Sequence, residues 1–195
     1  PMLWGHSSVC FRDSYILFFG GFDVSQNDFA GSPFVAGASN SVEAAPVATL
    51  SDTVFILNIE NWHWSRCTPG EKQPAPVPRA MHVAVAHRVE MIVFGGFTVD
   101  SSARCINVND CWVWNVENGQ WKRLEFCIPQ WGTKKLLSCI YYDQFVVAHQ
   151  LSNVFYLDLV QKGTGWQRCA CKTSERMVHG RGEGPRVVTD ASAGT

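Results

Sequence analysis

The sequence predicts an all-β chain assembled from repeated four-stranded antiparallel sheets. Three observations predict it. The apolar runs are short, about 4 to 8 residues, rich in Val, Ile, Phe, Tyr and Trp, and bounded by turn residues. Two long stretches superimpose on one another, and a third, weaker copy follows them. Paired glycines and spaced tryptophans recur at matching places in these copies.

The first copy runs through His6-Ser7-Ser8-Val9, Tyr15-Ile16-Leu17-Phe18-Phe19-Gly20-Gly21-Phe22, Asp52-Thr53-Val54-Phe55-Ile56-Leu57-Asn58 and Trp64. The second runs through Pro78-Arg79-Ala80-Met81-His82, Met91-Ile92-Val93-Phe94-Gly95-Gly96-Phe97, Asn109-Asp110-Cys111-Trp112-Val113-Trp114-Asn115 and Gln120-Trp121. The third has Leu136-Leu137-Ser138-Cys139-Ile140-Tyr141-Tyr142, Phe145-Val146-Val147-Ala148-His149, Ser152-Asn153-Val154-Phe155-Tyr156-Leu157-Asp158 and Trp166; here Ala148-His149 stands for the glycine pair. Gly184-Pro185-Arg186-Val187-Val188 resembles Pro78-Arg79 and begins a fourth. Each copy reads as four strands separated by turns such as Asp13-Ser14, Arg88-Val89-Glu90 and Asp143-Gln144. Asn118-Gly119 predicts a two-residue primed turn, which needs positive φ at both central residues.

Gly20-Gly21 and Gly95-Gly96 close the second strand where a Cβ would obstruct the backbone. Trp64, Trp121 and Trp166 supply the complementary bulk on the fourth strand. Burying an indole removes ~150–250 Å² from water, an upper estimate of roughly 4–6 kcal/mol, and a lone sheet has nothing to cover it with. Neighbouring sheets do.

This pattern resembles the kelch repeat, from Trp4-Gly5-His6 to about Trp166. The resemblance implies a partial kelch-type β-propeller of four-stranded antiparallel blades. Blade 1 is expected at about 4–67 with an insertion at 22–51, blade 2 at about 78–124, blade 3 at about 133–169, and the start of blade 4 at about 184–195. A β-sandwich with coincidental glycines is the alternative, but it would not place Gly-Gly and Trp in repeated order. A ring needs at least about four blades, so these residues are expected to be a segment of a longer chain, with hidden blades or a second chain as the other ways to close it.

Antiparallel parity puts the loops between strands two and three, and those between blades, at one end of the sheets. Those are the long ones, at about 22–51, 97–109, 66–78, 123–135 and 168–185, whereas the turns at the other end are a few residues each. Length concentrated at one end predicts a binding surface. The insertion at 22–51 reads as a flexible arm with Phe22, Phe29 and Phe34 as aromatic anchors. Trp131, Lys134 and Lys135 on one junction, with Arg176, His179 and Arg181 on the next, are the other expected partner-binding residues; arginines there suit a carboxylate-bearing peptide. Gly180-Arg181-Gly182 also permits RNA-backbone contact, in a single copy.

Composition limits the function classes. Lys+Arg total 16 against 17 Asp+Glu, a net charge of -1, so no basic footprint for nucleic acid or an anionic membrane is present. Hydrophobic residues reach 46% and charged ones 17%, which excludes a disordered chain. No apolar run reaches the ~20 residues of a spanning helix. Several of the eight cysteines sit within apolar runs, and reduced thiols and a cytoplasmic location are the expectation. Cys169-Ala170-Cys171 with His179 offers three zinc donors but lacks a second paired set, so no metal site is assigned and no cofactor is expected. His6 and His82 share one repeat position and read as architectural. Neither a Gly-x-Ser-x-Gly elbow nor a phosphate loop is present, and the expectation is a non-enzyme. The family resemblance implies a scaffold or protein-binding role, in ligase substrate recruitment, cytoskeletal attachment or a multi-subunit complex. The propeller part of an enzyme, such as a galactose-oxidase-like metalloenzyme, is the alternative, and no small-molecule ligand is named by the sequence.

Overall fold

The computed structural model describes residues 3–23, 49–68, 70, 73–102, 104–125, 136–149, 153–161 and 165–169. Those residues form strands and turns without a helix, so no helix is long and apolar enough to cross a membrane. β1 (Leu3–Trp4) precedes the first blade, which is built from β2 (Ser7–Phe11) and β3 (Tyr15–Phe19). β4 (Phe22–Asp23) and β5 (Thr49–Leu50) leave that sheet, and β6 (Val54–Asn58) and β7 (His63–Cys67) complete it. The second blade has β8 (Val83–His87), β9 (Glu90–Phe94), an outlying hairpin of β10 (Phe97–Val99) and β11 (Cys105–Asn107), then β12 (Cys111–Asn115) and β13 (Gln120–Leu124). The third has β14 (Leu136–Tyr141), β15 (Gln144–His149), β16 (Asn153–Asp158) and β17 (Trp166–Arg168). Each blade is a four-stranded antiparallel sheet with its strands in sequence order.

The central strands of the second blade are apolar on both faces because that blade is covered twice, while those of the first and third alternate. Val9, Phe11, Leu17, Phe19 and Val54 of the first blade pack on Met91, Val93, Trp112, Trp114 and Trp121 of the second. The other face of the second blade, with Val85, Ile92, Phe94, Cys111 and Val113, packs on Phe145, Val147 and Leu157 of the third. Neighbouring blades approach most closely at their first strands, β2 with β8 and β8 with β14, so the sheets radiate from that edge. Trp121 reaches back to Phe19, with ring centroids 4.9 Å apart, and Trp166 reaches back to Phe94 at 5.1 Å. Phe19 and Phe94 are equivalent, each ending a second strand opposite the start of the third. Trp64 differs from the expectation that every indole lies between sheets. It stacks on Phe18 of its own blade and is 46% exposed, because the face it occupies has no neighbour among the described residues.

A Cβ on Gly96, at φ +91°, would lie 2.6 Å from the Ala80 carbonyl oxygen and 2.8 Å from the His82 Cβ of its own blade. One on Gly20 would lie 2.5 Å from the Arg79 carbonyl oxygen and 2.7 Å from the His82 ring of the next blade. The pair therefore lets the first strand of one's own blade and the entry to the next blade close in together. In the third blade Ala148 pairs with Val154 as Phe19 pairs with Val54, so the residue in place of the first glycine is His149, one position later than the sequence suggests. The expected primed turn at Asn118-Gly119 is absent: only Gly119 is left-handed, at φ +66°, and it ends a loop of residues 116–119. The reason is Asn115, whose Oδ1 accepts from the Glu117 and Asn118 N–H groups; Asn58 and Asp158 do the same for their own hairpins.

Candidate binding surface

The long-loop end is built on small sheets outside the blades. β4 pairs with both β1 and β5, and β10 pairs with β11, while an isolated Ala80–Phe97 bridge repeats the Trp4–Phe22 pairing one blade on. Phe22, Ala80 and Phe97 are buried together, with Leu50 against them. This corrects the reading of Phe22 as an anchor of a flexible arm: it is core, and the arm's ends at 22–23 and 49–50 are paired strands. Such two-residue strands leave no periodic signal.

Above that cluster lie exposed apolar side chains. Trp4 is 42% exposed with its ring 5.5 Å from Phe22, and Met81 is 38% exposed. They adjoin across Gly5, whose carbonyl accepts from the Met81 N–H at 2.8 Å and whose Cα would place a Cβ 3.6 Å from the Met81 sulfur. Met81 holds a left-handed φ of +56° at the place Gly5 occupies in the first blade. Ile106 on β11 is also exposed, and the tip of its hairpin is fixed by Asp100, which accepts from Ser102 N, Arg104 N and the Arg104 guanidinium. Those bonds, the Arg104 N–H first, hold the Asp100 carboxyl below its ordinary range.

The support beneath is polar and closed to solvent. Arg79 is fully buried and donates to both Asp110 oxygens, at 2.6 and 3.1 Å, to Gly95 O at 3.1 Å and to Val77 O at 3.2 Å. Trp112 Nε1 donates to the same carboxylate at 2.7 Å. Burial alone would raise the Asp110 pKa; the hydrogen bonds and charge of Arg79, with the Trp112 N–H, outweigh it and hold the group ionised. The Arg79 carbonyl accepts from Gly21 N at 2.8 Å, so this ion pair ties the second blade to the first. His82 is buried, with Nε2 2.6 Å from Ser7 Oγ and its ring edge-on to Phe19. Burial, and then the Arg79 charge, lowers its pKa to about 3, so the ring is neutral. His6, its repeat counterpart, is exposed, with Nδ1 3.1 Å from Leu3 O.

The eight residues expected to bind a partner, Phe29, Phe34, Trp131, Lys134, Lys135, Arg176, His179 and Arg181, lie outside the described residues, as does the expected start of a fourth blade. Trp4 and Met81 escaped the sequence reading. Their signal was in the repeat alignment, which sets Met81 against Gly5, a bulky residue where its counterpart has no side chain. Among the described residues no group of three or more His, Cys, Asp or Glu is placed to hold a metal, and Cys10, Cys105 and Cys139 are exposed and outside any disulfide.

Residues 1–183 match the family model of the KLHDC2/KLHL20/DRC7 kelch-repeats domain. A Rho GTPase-activating protein of Dictyostelium discoideum, gacHH, is 31% identical over 98 residues, which are 49% of this chain and 6% of that protein. The chain thus matches only a small part of that relative.

Proposed function

The chain belongs to the KLHDC2/KLHL20/DRC7 kelch-repeat family, and from that premise we propose that it is a non-enzymatic protein-interaction module binding its partner through the long-loop end of the blades. Kelch-repeat domains generally mediate protein–protein interaction, and the family is typically non-enzymatic. The observation that carries the reading is the exposure of Trp4 and Met81 on either side of Gly5, beside the buried Arg79–Asp110 ion pair. Tryptophan and methionine are enriched at the centres of interfaces, and the thioether adapts to irregular partners. A role as one scaffold module within a larger cytoplasmic assembly suits a chain whose relative carries the matching stretch inside a far longer protein named for Rho GTPase activation.

The test compares the proteins retained by the wild-type chain with those retained by a Trp4→Ser/Met81→Ser double variant and by a deletion of residues 24–48, which spares β4 and β5. Each variant is first shown to unfold like the wild type. A specific partner lost by either variant supports the reading. A partner retained equally by both refutes it.

A further inference from the structure

The opposite, short-turn end bears its own signal, made visible by the repeat. The hairpins joining strands three and four in the first two blades are equivalent, with His63 opposite Asn58 as Gln120 is opposite Asn115. The last loop residue is left-handed in both. In the second blade it is Gly119, beside which a Cβ would meet nothing within 4 Å; in the first it is Trp62, at φ +57° and 73% exposed. Neither packing nor backbone preference asks for an indole there, since glycine adopts this conformation without strain. In the third blade Tyr142 likewise holds φ +52° at the tip of the β14–β15 turn, 82% exposed and edge-on to the exposed Tyr141 ring at 4.7 Å.

These tips form a connected band. Ser14 donates to Glu60, Arg12 pairs with Glu117 of the second blade at 3.0 Å, Val116 N donates to Val89 O, and Asp143 of the third blade receives His87 at 2.8 Å and Arg88 at 3.4 Å. Both arginines are thus engaged by carboxylates. The described loops here carry Asp13, Glu60, Glu117 and Asp143 against Arg12 and Arg88, an acidic surplus flanked by exposed aromatic rings. Aromatic faces and carboxylates together recognise cations that retain an alkyl stem.

We propose that the short-turn end is a second docking surface, for a lysine- or arginine-bearing segment of a protein partner, with Trp62 and the Tyr141–Tyr142 pair as its aromatic anchors. It lies at the other end of the blades from the surface proposed above and stands independently of it.

The test measures fluorescence anisotropy of a labelled peptide of alternating Lys and Ser, and of its Glu–Ser counterpart, with the full chain. The Lys–Ser peptide binds, and binds more weakly as salt rises; the Glu–Ser peptide does not bind. Trp62→Gly and Tyr142→Gly each weaken binding about two- to fivefold, the scale of an exposed cation–π contact, while leaving the unfolding midpoint unchanged or higher. Wild-type affinity in both variants overturns the proposal, as does absence of binding or equal binding of the Glu–Ser peptide. Loss of binding in Trp4→Ala with none in Trp62→Gly moves the peptide to the long-loop end and overturns it equally.

Discussion

Alanine at Gly96 separates close backbone approach from mere conformational preference. The substitution puts a Cβ 2.6 Å from Ala80 O, 2.8 Å from His82 Cβ and 2.9 Å from His82 N, and none of these is the far end of a flexible chain. Relief requires the Ala80–His82 backbone to retreat, which strains the reciprocal Ala80–Phe97 hydrogen bonds, both 3.0 Å. Forced overpacking costs about 1–3 kcal/mol. The left-handed conformation adds about 1–2 kcal/mol for an L-residue. The expected total is about 2–5 kcal/mol. Gly119→Ala is the control, because at φ +66° with no atom within 4 Å of its Cβ it incurs only the second cost. Urea unfolding of the two variants beside the wild type, with m-values compared to confirm a common two-state transition, yields both figures. If Gly96→Ala and Gly119→Ala lose the same stability within about 0.5 kcal/mol, the close-approach reasoning fails and the glycine pair serves backbone geometry alone.

The buried His82 makes stability depend on pH. Its folded pKa of about 3 lies below the ordinary imidazole value of 6.5, so the unfolded chain binds a proton that the folded one refuses. The contribution is complete above the unfolded pKa and is lost as pH falls from there toward 3; at pH 5 the loss is about 2 kcal/mol, read as a difference between urea curves at pH 7.5 and 5 that His82→Asn removes. Arg79→Leu leaves Asp110 without its partner in a largely buried site and costs about 3–5 kcal/mol, whereas Arg12→Ala, which breaks an exposed pair, costs under about 1 kcal/mol; a similar loss in both would show that burial does not separate them. Trp121→Ala destabilises by about 3–5 kcal/mol and Trp64→Ala by much less, since Trp121 is buried between blades and Trp64 is not. Equal losses would mean that a further sheet covers Trp64 in the folded protein.

The blades were legible because their signals are local and repeated. A glycine pair after an apolar strand and an indole on the fourth strand each state a packing need within a few residues, and Phe19 with Trp121 and Phe94 with Trp166 meet that need in the same way. What escaped was set by distant partners. Pro78-Arg79 was visible as a repeated motif, yet Asp110, its carboxylate, is 31 residues away and no spacing joins them. β4 and β5 are two residues each, stabilised by the buried Phe22 and Leu50 contact rather than by any period. The frame of the third blade slipped because Ala148-His149 matches no glycine, and only the pairing of Ala148 with Val154 fixes which residue stands where. Asn58, Asn115 and Asp158 were in plain view at one repeat position; their shared task of capturing two N–H groups would have warned against a two-residue turn at Asn118-Gly119.

The two ends of the blades are held by different kinds of force, and this sets what a partner at each end can alter. At the long-loop end the junction of the first two blades rests on the buried Arg79–Asp110 pair, the neutral His82 and the glycine approach, none of which salt can screen well. Trp4 and Met81 flank Gly5 beside that junction, Trp4 against Phe22 and Met81 bonded through its N–H to the Gly5 carbonyl, so a partner seated there meets a surface backed by buried contacts. At the short-turn end the blades are linked by pairs that reach solvent, Arg12 with Glu117 and the half-exposed Asp143 with the buried His87 and the exposed Arg88, and salt screens their exposed charges. A cationic segment arriving there competes with Arg12 and Arg88 for the same carboxylates. Binding through Trp4 and Met81 is therefore expected to vary little with ionic strength and binding at the short-turn end to fall steeply with it, so a salt titration of an identified partner, read beside the Trp4→Ser/Met81→Ser and Trp62→Gly variants, assigns it to one surface or the other.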